Sequence, residues 1–371
     1  MTWDGVNTWF ALTVTQSSVG AWTYFVNATF DATYGITSFI LNSNRVQVIW
    51  DQIVVQTTLA NSTRINMGDA VEIQVTLWRA YDHTPLGASD NVTLDDTLMT
   101  YDGLNSRFEL PVSQGAVGQW MYYVNSTSDA TYGITAFDLN SKQVVVIWDR
   151  IVVQTTSVDD GRIDVNSNAE IHVTLILEYD GTSLGASNSV TLNGVSMTWD
   201  GSNGWFALNV SQSTVGAWVY FVNASTATSY GVDLVSLNGN SVSIIWDRVQ
   251  VVSYSTSDDH VNIGDSVDID VALIYAYDNL PVTTGTVTIN GNSASNQGGG
   301  VWRITESETS ATRNTYNLVV STGNAYALSV VDQNSQSLDV TWDRLVITIG
   351  VDDASLLNGH QANFSLAVSY E

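Results

Sequence analysis

The sequence predicts an all-β chain made of several copies of one sandwich domain, and three observations carry that reading. First, the chain repeats itself every 98 residues: Met1-Thr2-Trp3-Asp4-Gly5 returns as Met99-Thr100-Tyr101-Asp102-Gly103 and as Met197-Thr198-Trp199-Asp200-Gly201. Trp-Asp pairs stand at Trp50-Asp51, Trp148-Asp149, Trp246-Asp247 and Trp342-Asp343, spaced by 98, 98 and 96. Second, β-branched and aromatic residues are abundant and there are only three prolines, which suits a pleated, half-buried surface. Third, no stretch carries a sustained apolar stripe of helical period. A period this long gives each unit enough chain to bury a core of its own, unlike short stacked repeats.

Within one unit, residues 151–156 read as the first strand, followed by a polar loop through Asp159-Asp160-Gly161. Residues 170–177 read as the second, stopped by Tyr179-Asp180-Gly181. Residues 189–192 lead to Asn193-Gly194, a pair that tolerates the positive φ of a tight hairpin turn. Further strands are predicted at 205–210, 217–222, 230–237 and 241–246. Roughly seven to nine short strands per unit, separated by turn signals, match an immunoglobulin-like sandwich.

Strand residues two apart share a face. Trp218, Tyr220 and Val222 therefore point one way, as do Trp22, Tyr24, Val26 and Trp120, Tyr122, Val124. This face is the predicted core, with Trp120 and Trp218 deeply buried. The other face carries Phe25, Tyr123 and Phe221. Large aromatics on a face expected to meet water suggest an assembly contact; burial under a neighbouring loop is the alternative.

The junctions lack spacers. Residues 144–153 contain no Gly, Pro or Ser-rich segment, so the last strand of one unit runs into the first of the next; a flexible linker needs the opposite composition. The expected architecture is a stiff tandem array of immunoglobulin-like β-sandwich domains joined end to end. Its parts are 1–51 (later strands of a partial domain), 52–149, 150–247, 248–343 (a divergent copy with Gly298-Gly299-Gly300) and 344–371 (first two strands of a further domain). Tyr370-Glu371 aligns here with Tyr81-Asp82, Tyr179-Asp180 and Tyr277-Asp278. The end segments also fit a piece cut from a longer chain, so a missing signal peptide carries little weight.

Net charge is −26, with 37 acidic residues and a single lysine, Lys142. Such a chain repels phosphate backbones and anionic lipid, which argues against nucleic acid and membrane-surface partners. Cysteine is absent, so neither disulfides nor thiol chemistry operate. No apolar run reaches the length of a membrane span.

Motifs for chemistry are weak. Gly181-Thr182-Ser183-Leu184-Gly185 fits the G-x-S-x-G form, but the sister loops carry Pro85 and Pro281 where Ser183 stands, so Ser183 reads as a turn residue. His83, His172, His260 and His360 occupy different places in the repeat and show no metal-ligand spacing. No carboxylate pair is singled out for glycosidase work, and no enzyme activity is expected. Seven N-x-S/T sequons are no more than the abundance of Asn, Ser and Thr gives by chance, yet Asn27, Asn125 and Asn223 share one repeat position and are the glycosylation candidates for an exported chain.

The acidic pairs Asp159-Asp160, Asp258-Asp259 and Asp352-Asp353 fall between the first and second strands of successive units. At the far end of a domain they could meet Asp247 or Asp343 together with Asp278 or Glu371, a set of oxygens suited to calcium. A solvated, mutually repelling loop is the favoured reading, and no cofactor is expected beyond this calcium option.

The Trp-Asp-Arg junctions, linker-free units, acidic Ser/Thr/Val-rich composition and absent cysteine resemble the tandem immunoglobulin-like repeats of secreted archaeal and bacterial surface proteins, including surface-layer and extracellular-filament proteins. The resemblance spans the whole chain and is architectural. It implies an extracellular, non-catalytic structural or adhesive role. The subtype with internal Lys–Asn cross-links is excluded, because Lys142 cannot supply one per domain.

The leading expectation is therefore a filament or surface-coat subunit whose partners are copies of itself. In that reading the segment carrying Leu345, Val346, Phe364, Leu366 and Val368 completes the sheet of residues 1–51 in the next copy and builds a head-to-tail polymer. The alternatives are a cell-surface adhesin or carbohydrate-binding stalk, with glycans as partners, and a non-catalytic stalk of a secreted enzyme.

Overall fold

The structure is a computed structural model that describes all residues except 41–43, 237–239, 322–323, 353 and 356–357. The described residues are all-β, without helix. The chain divides into two compact units, one formed by Met1–Val152, Leu175–Ser189 and Ala224–Ser236, the other by Val153–Thr174, Val190–Asn223 and Leu237–Glu371. Each is described by itself.

In the first unit, residues 53–149 form a two-sheet sandwich. One sheet has the order Thr100–Asp102, Arg107–Ser113, Ala70–Arg79, Ile53–Ala60, Phe137–Asp138. Its last pairing is parallel, Phe137 opposite Ile53. Opposite it, Val144–Asp149 pairs antiparallel with Gly118–Tyr122 and parallel with Arg64–Asn66, while Val124–Ser128 pairs with Asn91–Leu94. The chain thus begins in one sheet and crosses within a few residues into the other. Period-two alternation drives every core position inward: Val71, Ile73, Val75 and Leu77 face Val92, Leu94, Val124, Val146 and Trp148, all buried.

The second unit contains the divergent copy, built in the same way. Ser295–Gly298, Val301–Ser307, Ser266–Tyr275, Val249–Thr256 and Val331–Asp332 form one sheet. The other is His260–Asn262, Ser337–Asp343, Thr312–Ser321, Thr286–Ile289 and Asn292–Ser293. Gly300 is fixed by its surroundings: at φ 83 a Cβ would lie 2.5 Å from the Leu273 carbonyl oxygen. In the same unit, Asn193-Gly194 forms the turn that precedes Val195–Ser196, with both residues at positive φ.

Two sequence expectations need correcting. Tyr230 does not lie on a strand: residues 228–231 turn between the bridged pair Ala227 and Val232, with Gly231 at φ 69, and among the described residues of the predicted 230–237 segment the strand is Val235–Ser236. Trp120 and Trp218 are half-buried, whereas Trp148, Trp246 and Trp342 are fully enclosed. The Trp-x-Tyr-x-Val face does point inward, but its tryptophan lies where the sheet begins, edge-on to the Trp-Asp tryptophan at 5.4 Å in both copies. The indole folds back over the glycine two residues earlier; a Cβ on Gly118 or Gly216 would lie 2.9 or 2.8 Å from the ring. That close approach explains why Gly-x-Trp recurs.

Candidate interaction surfaces at the repeat junctions

One residue separates the strands on either side of a junction: Arg150 between Val144–Asp149 and Ile151–Val158, and Arg248 between Ser241–Asp247 and Val249–Thr256. The tryptophan before it is pinned by its indole N–H, which Trp148 donates to the Asp69 carbonyl at 2.9 Å and Trp246 to the Ser167 carbonyl at 3.1 Å. The aspartate that follows is fully buried in both copies. Asp247 Oδ1 accepts the backbone N–H of Arg248 and of Tyr277, each at 2.8 Å. Its Oδ2 accepts Arg162 Nε at 3.0 Å. A carboxylate stripped of water needs such a set of donors.

The arginine does more than satisfy that carboxylate. Arg162 Nη1 also donates to Asp278 Oδ2 at 2.9 Å, and its guanidinium lies 4.1 Å from the Tyr326 ring centroid and 4.8 Å from that of Tyr275. In the first unit Arg64 repeats this, donating Nε to Asp149 at 2.9 Å and Nη1 to Asp180 at 3.0 Å, with Tyr230 at 4.6 Å. Burial opposes the charge on Arg162, but the hydrogen bonds and charges of Asp278 and Asp247 outweigh it and raise its pKa. The Arg64 hydrogen bond in turn pulls the Asp180 carboxyl far below the usual carboxylate range, and Asp278 is lowered by Arg162 in the same way.

A second residue of the same short strand reaches forward too. Asn66 Oδ1 accepts the backbone N–H groups of Asp233 at 2.8 Å and Leu234 at 2.9 Å. Asp164 accepts those of Ser329 and Val330, each at 2.9 Å through Oδ1. Each joint is therefore a cation held between two carboxylates and a tyrosine, plus an acceptor for two amides of the following repeat.

Of the two places considered for calcium, the one between Asp247 and Asp278 holds the Arg162 guanidinium; at the other, Glu371 pairs with Arg344 and Asp343 faces His260. The acidic loop residues do other things. Asp160 accepts the Arg162 backbone N–H at 3.1 Å, Asp258 accepts that of His260 at 3.1 Å, and the Asp259 carbonyl accepts Thr341 N–H at 2.9 Å. Asp159 joins Glu170 and His172, a grouping that histidine spacing did not reveal. The His172 ring nitrogens face different carboxylates, Nδ1 towards Asp159 at 3.5 Å and Nε2 towards Glu170 at 3.2 Å, and the ring stacks on Trp205 at 4.3 Å. Asp353 lies outside the described residues. Ser183 is exposed and bridges Ile176, as Pro85 bridges Trp78 and Pro281 bridges Ile274, so all three occupy one turn.

Among the glycosylation candidates, Asn125 Oδ1 accepts Thr93 Oγ1 at 2.9 Å and Asp96 N–H at 3.2 Å, and Asn223 Oδ1 accepts Thr191 Oγ1 at 3.0 Å and Gly194 N–H at 2.9 Å. Their shared position thus serves the neighbouring hairpin turn. Asn27 is exposed. Phe25, Tyr123 and Phe221 are all exposed, on the face opposite the core.

The two end segments expose what their sister repeats bury. Phe10 is 63% exposed, against 2% for Phe108 and 1% for Phe206 at the same repeat position. Leu345–Val351 and Phe364–Tyr370 form a hairpin whose register puts Leu345, Ile347, Ile349 and Val351 on one face with Tyr370, Val368, Leu366 and Phe364; every one is exposed. Val346 lies on the other face. The hairpin also corrects the sequence alignment: Leu345 faces Tyr370 as Val249 faces Tyr275 and Ile53 faces Arg79. Tyr370 therefore corresponds to Tyr275, not Tyr277. Glu371 binds Arg344 as Glu178 binds Arg150.

No family model matches the chain, and no curated protein matches it. Among solved structures, the chain is similar in fold to FdeC, an Escherichia coli adhesin, at 14% identity over 79% of this chain and 96% of that one, TM-score 0.31. It is similar to invasin, a bacterial integrin-binding protein, at 15% identity over 86% of this chain and 67% of that one, TM-score 0.31. Domains 1–6 of the surface layer protein SbsC match at 12% identity over 94% of this chain and 58% of that one, TM-score 0.25.

Sequence reasoning saw the Trp-Asp pair but missed its partners. Arg64 and Arg162 stand one repeat apart in a chain with very few cations, and that recurrence is the signal that could have found them.

Proposed function

We propose that this chain is a non-catalytic structural subunit of an extracellular filament or surface coat, and that its copies join head to tail by strand donation. One observation carries the reading. In the complete sandwich of residues 53–149, the strands Ala70–Arg79 and Ile53–Ala60 lie between Arg107–Ser113 on one side and Phe137–Asp138 on the other. The hairpin Leu345–Val351/Phe364–Tyr370 matches that central pair, and Trp9–Ala11 with residues 39–40 matches the flanks. Both partners leave their core faces exposed. Burying eight large apolar side chains would contribute on the order of 1.5–3 kcal/mol each before ordering costs. The uncovered edges of such strands otherwise invite unspecific pairing.

The test is sedimentation and electron microscopy of the intact protein beside Ile347→Asp. Ile347 is exposed in the subunit, so the substitution leaves subunit stability within about 0.5 kcal/mol while placing a charge in the donated face. Wild-type multimers that Ile347→Asp abolishes support the reading. A wild type that stays single at high concentration, or multimers indifferent to the substitution, overturns it.

A second reading, a cell-surface adhesin or carbohydrate-binding stalk, is favoured by Phe25, Tyr123 and Phe221, which put one exposed aromatic on the outer sheet face every 98 residues. Glycan-array binding lost on Tyr123→Ala and Phe221→Ala together would establish it.

A further inference from the structure

The strand that reaches forward at each joint occurs a third time, as His260–Asn262, in the same parallel register: Arg64, Ile65 and Asn66 lie opposite Ile147, Trp148 and Asp149, and His260, Val261 and Asn262 opposite Thr341, Trp342 and Asp343. Its surroundings are prepared alike. His260 Nε2 lies 3.5 Å from Asp343 Oδ2, and its ring is 5.4 Å from that of Tyr370, the counterpart of Tyr275. Asn262 Nδ2 donates to Asp265 at 2.9 Å, as Asn66 Nδ2 does to Asp69 at 3.1 Å. That bond orients Asn66 so that Oδ1 meets the amides of Asp233 and Leu234. Yet His260 is half exposed and borders an open depression with Asn262, Asp343, Leu345 and Tyr370.

The groups that fill the sister joints are Tyr230 with the amides of Asp233 and Leu234, and Tyr326 with those of Ser329 and Val330. Stepping back through the repeat, 230, 233 and 234 become 132, 135 and 136, and then Tyr34, Thr37 and Ser38. Tyr34 is 79% exposed. Its turn is already closed in the sister conformation: Gly35 N–H bonds Asp31 O at 2.8 Å with φ 66, as Gly133 N–H bonds Asp129 O at 2.9 Å with φ 66.

We propose that Asn262 of one copy accepts the backbone N–H groups of Thr37 and Ser38 of a second copy, with His260 against that copy's Tyr34. This polar clamp rests on the head-to-tail reading and deepens it by naming the contact that sets register and direction. Hydrogen bonds of this kind fix geometry where an apolar groove alone would permit sliding. In the clamped joint Leu345 stands opposite Phe39 of the second copy, as Ile53 stands opposite Phe137 and Ile151 opposite Val235.

The absence of cysteine makes a direct test clean. Thr37→Cys and Asn262→Cys are placed together in the full chain and treated with a short bis-maleimide; Asn66→Cys with Asp233→Cys is the intramolecular reference. A ladder of covalent multimers from the first pair, absent from either single variant, supports the clamp. Multimers seen by sedimentation without a ladder overturn the clamp and leave strand donation standing. A single-species wild type with no ladder overturns both. In the cysteine-free chain, Asn262→Asp retains an acceptor, as Asp164 does, and keeps assembly. Asn262→Leu raises the concentration needed for assembly about tenfold, the equivalent of one lost amide pair.

Discussion

Arg162 and Asp278, 116 residues apart in sequence, are joined by two hydrogen bonds of 2.9 and 3.2 Å, and the same guanidinium closes on the fully buried Asp247. One side chain from the end of a repeat thus satisfies its own repeat's carboxylate and grips the next repeat's turn.

Removing that side chain leaves Asp247 buried without its cation. Arg162→Leu is expected to cost about 3–5 kcal/mol, the range for breaking one partner out of a buried ion pair. Arg162→Lys should cost less but still measurably, because one ammonium cannot span both carboxylates in the forked geometry. Urea unfolding of the two variants beside wild type measures both.

Acid should loosen the joints in a defined window. Asp180 and Asp278 have folded-state pKa values lowered by Arg64 and Arg162. A lowered carboxylate contributes stability that is complete above its unfolded value, about 3.9, and is lost as pH falls through the folded value. Melting temperature should therefore hold from pH 7 to about 5 and fall more steeply below about 4. Asp278→Asn should flatten that acid limb.

Trp246→Ala should cost about 3–5 kcal/mol through lost packing and an orphaned Ser167 carbonyl. Trp218→Ala, at a half-buried position, should cost clearly less. Equal losses would mean that both indoles are equally enclosed.

Chelation is expected to leave the melting temperature unchanged, because Arg162 takes the place between Asp247 and Asp278 that a hard cation would need. A drop on adding chelator, reversed by calcium, would point instead to the acidic loops around Asp159 or Asp258.

The repeat, the strand segments and the inward face of Trp218, Tyr220 and Val222 were legible because they are local patterns of period 98 or two. The joints were not. Arg64 meets Asp180 across 116 residues, and no local pattern announces such a pairing. Trp218 reads as deep core because its alternation is clear, although burial depends on where along the sheet a strand crosses the core, and the structure leaves it half-buried. Tyr370 was placed two residues off because the sequence shows the motif, whereas the hairpin register fixes the position. Three letters mark Asn125 and Asn223 as glycosylation candidates; that their side chains also brace a turn shows only in the fold.

The parallel pairing of Arg64–Asn66 with Val144–Asp149 has a mechanical consequence. These strands lie near the two ends of one repeat's chain and run in the same direction. Tension drawn along the polypeptide pulls them opposite ways along their common axis, so their hydrogen bonds bear load together, in shear, rather than opening one after another like a zip.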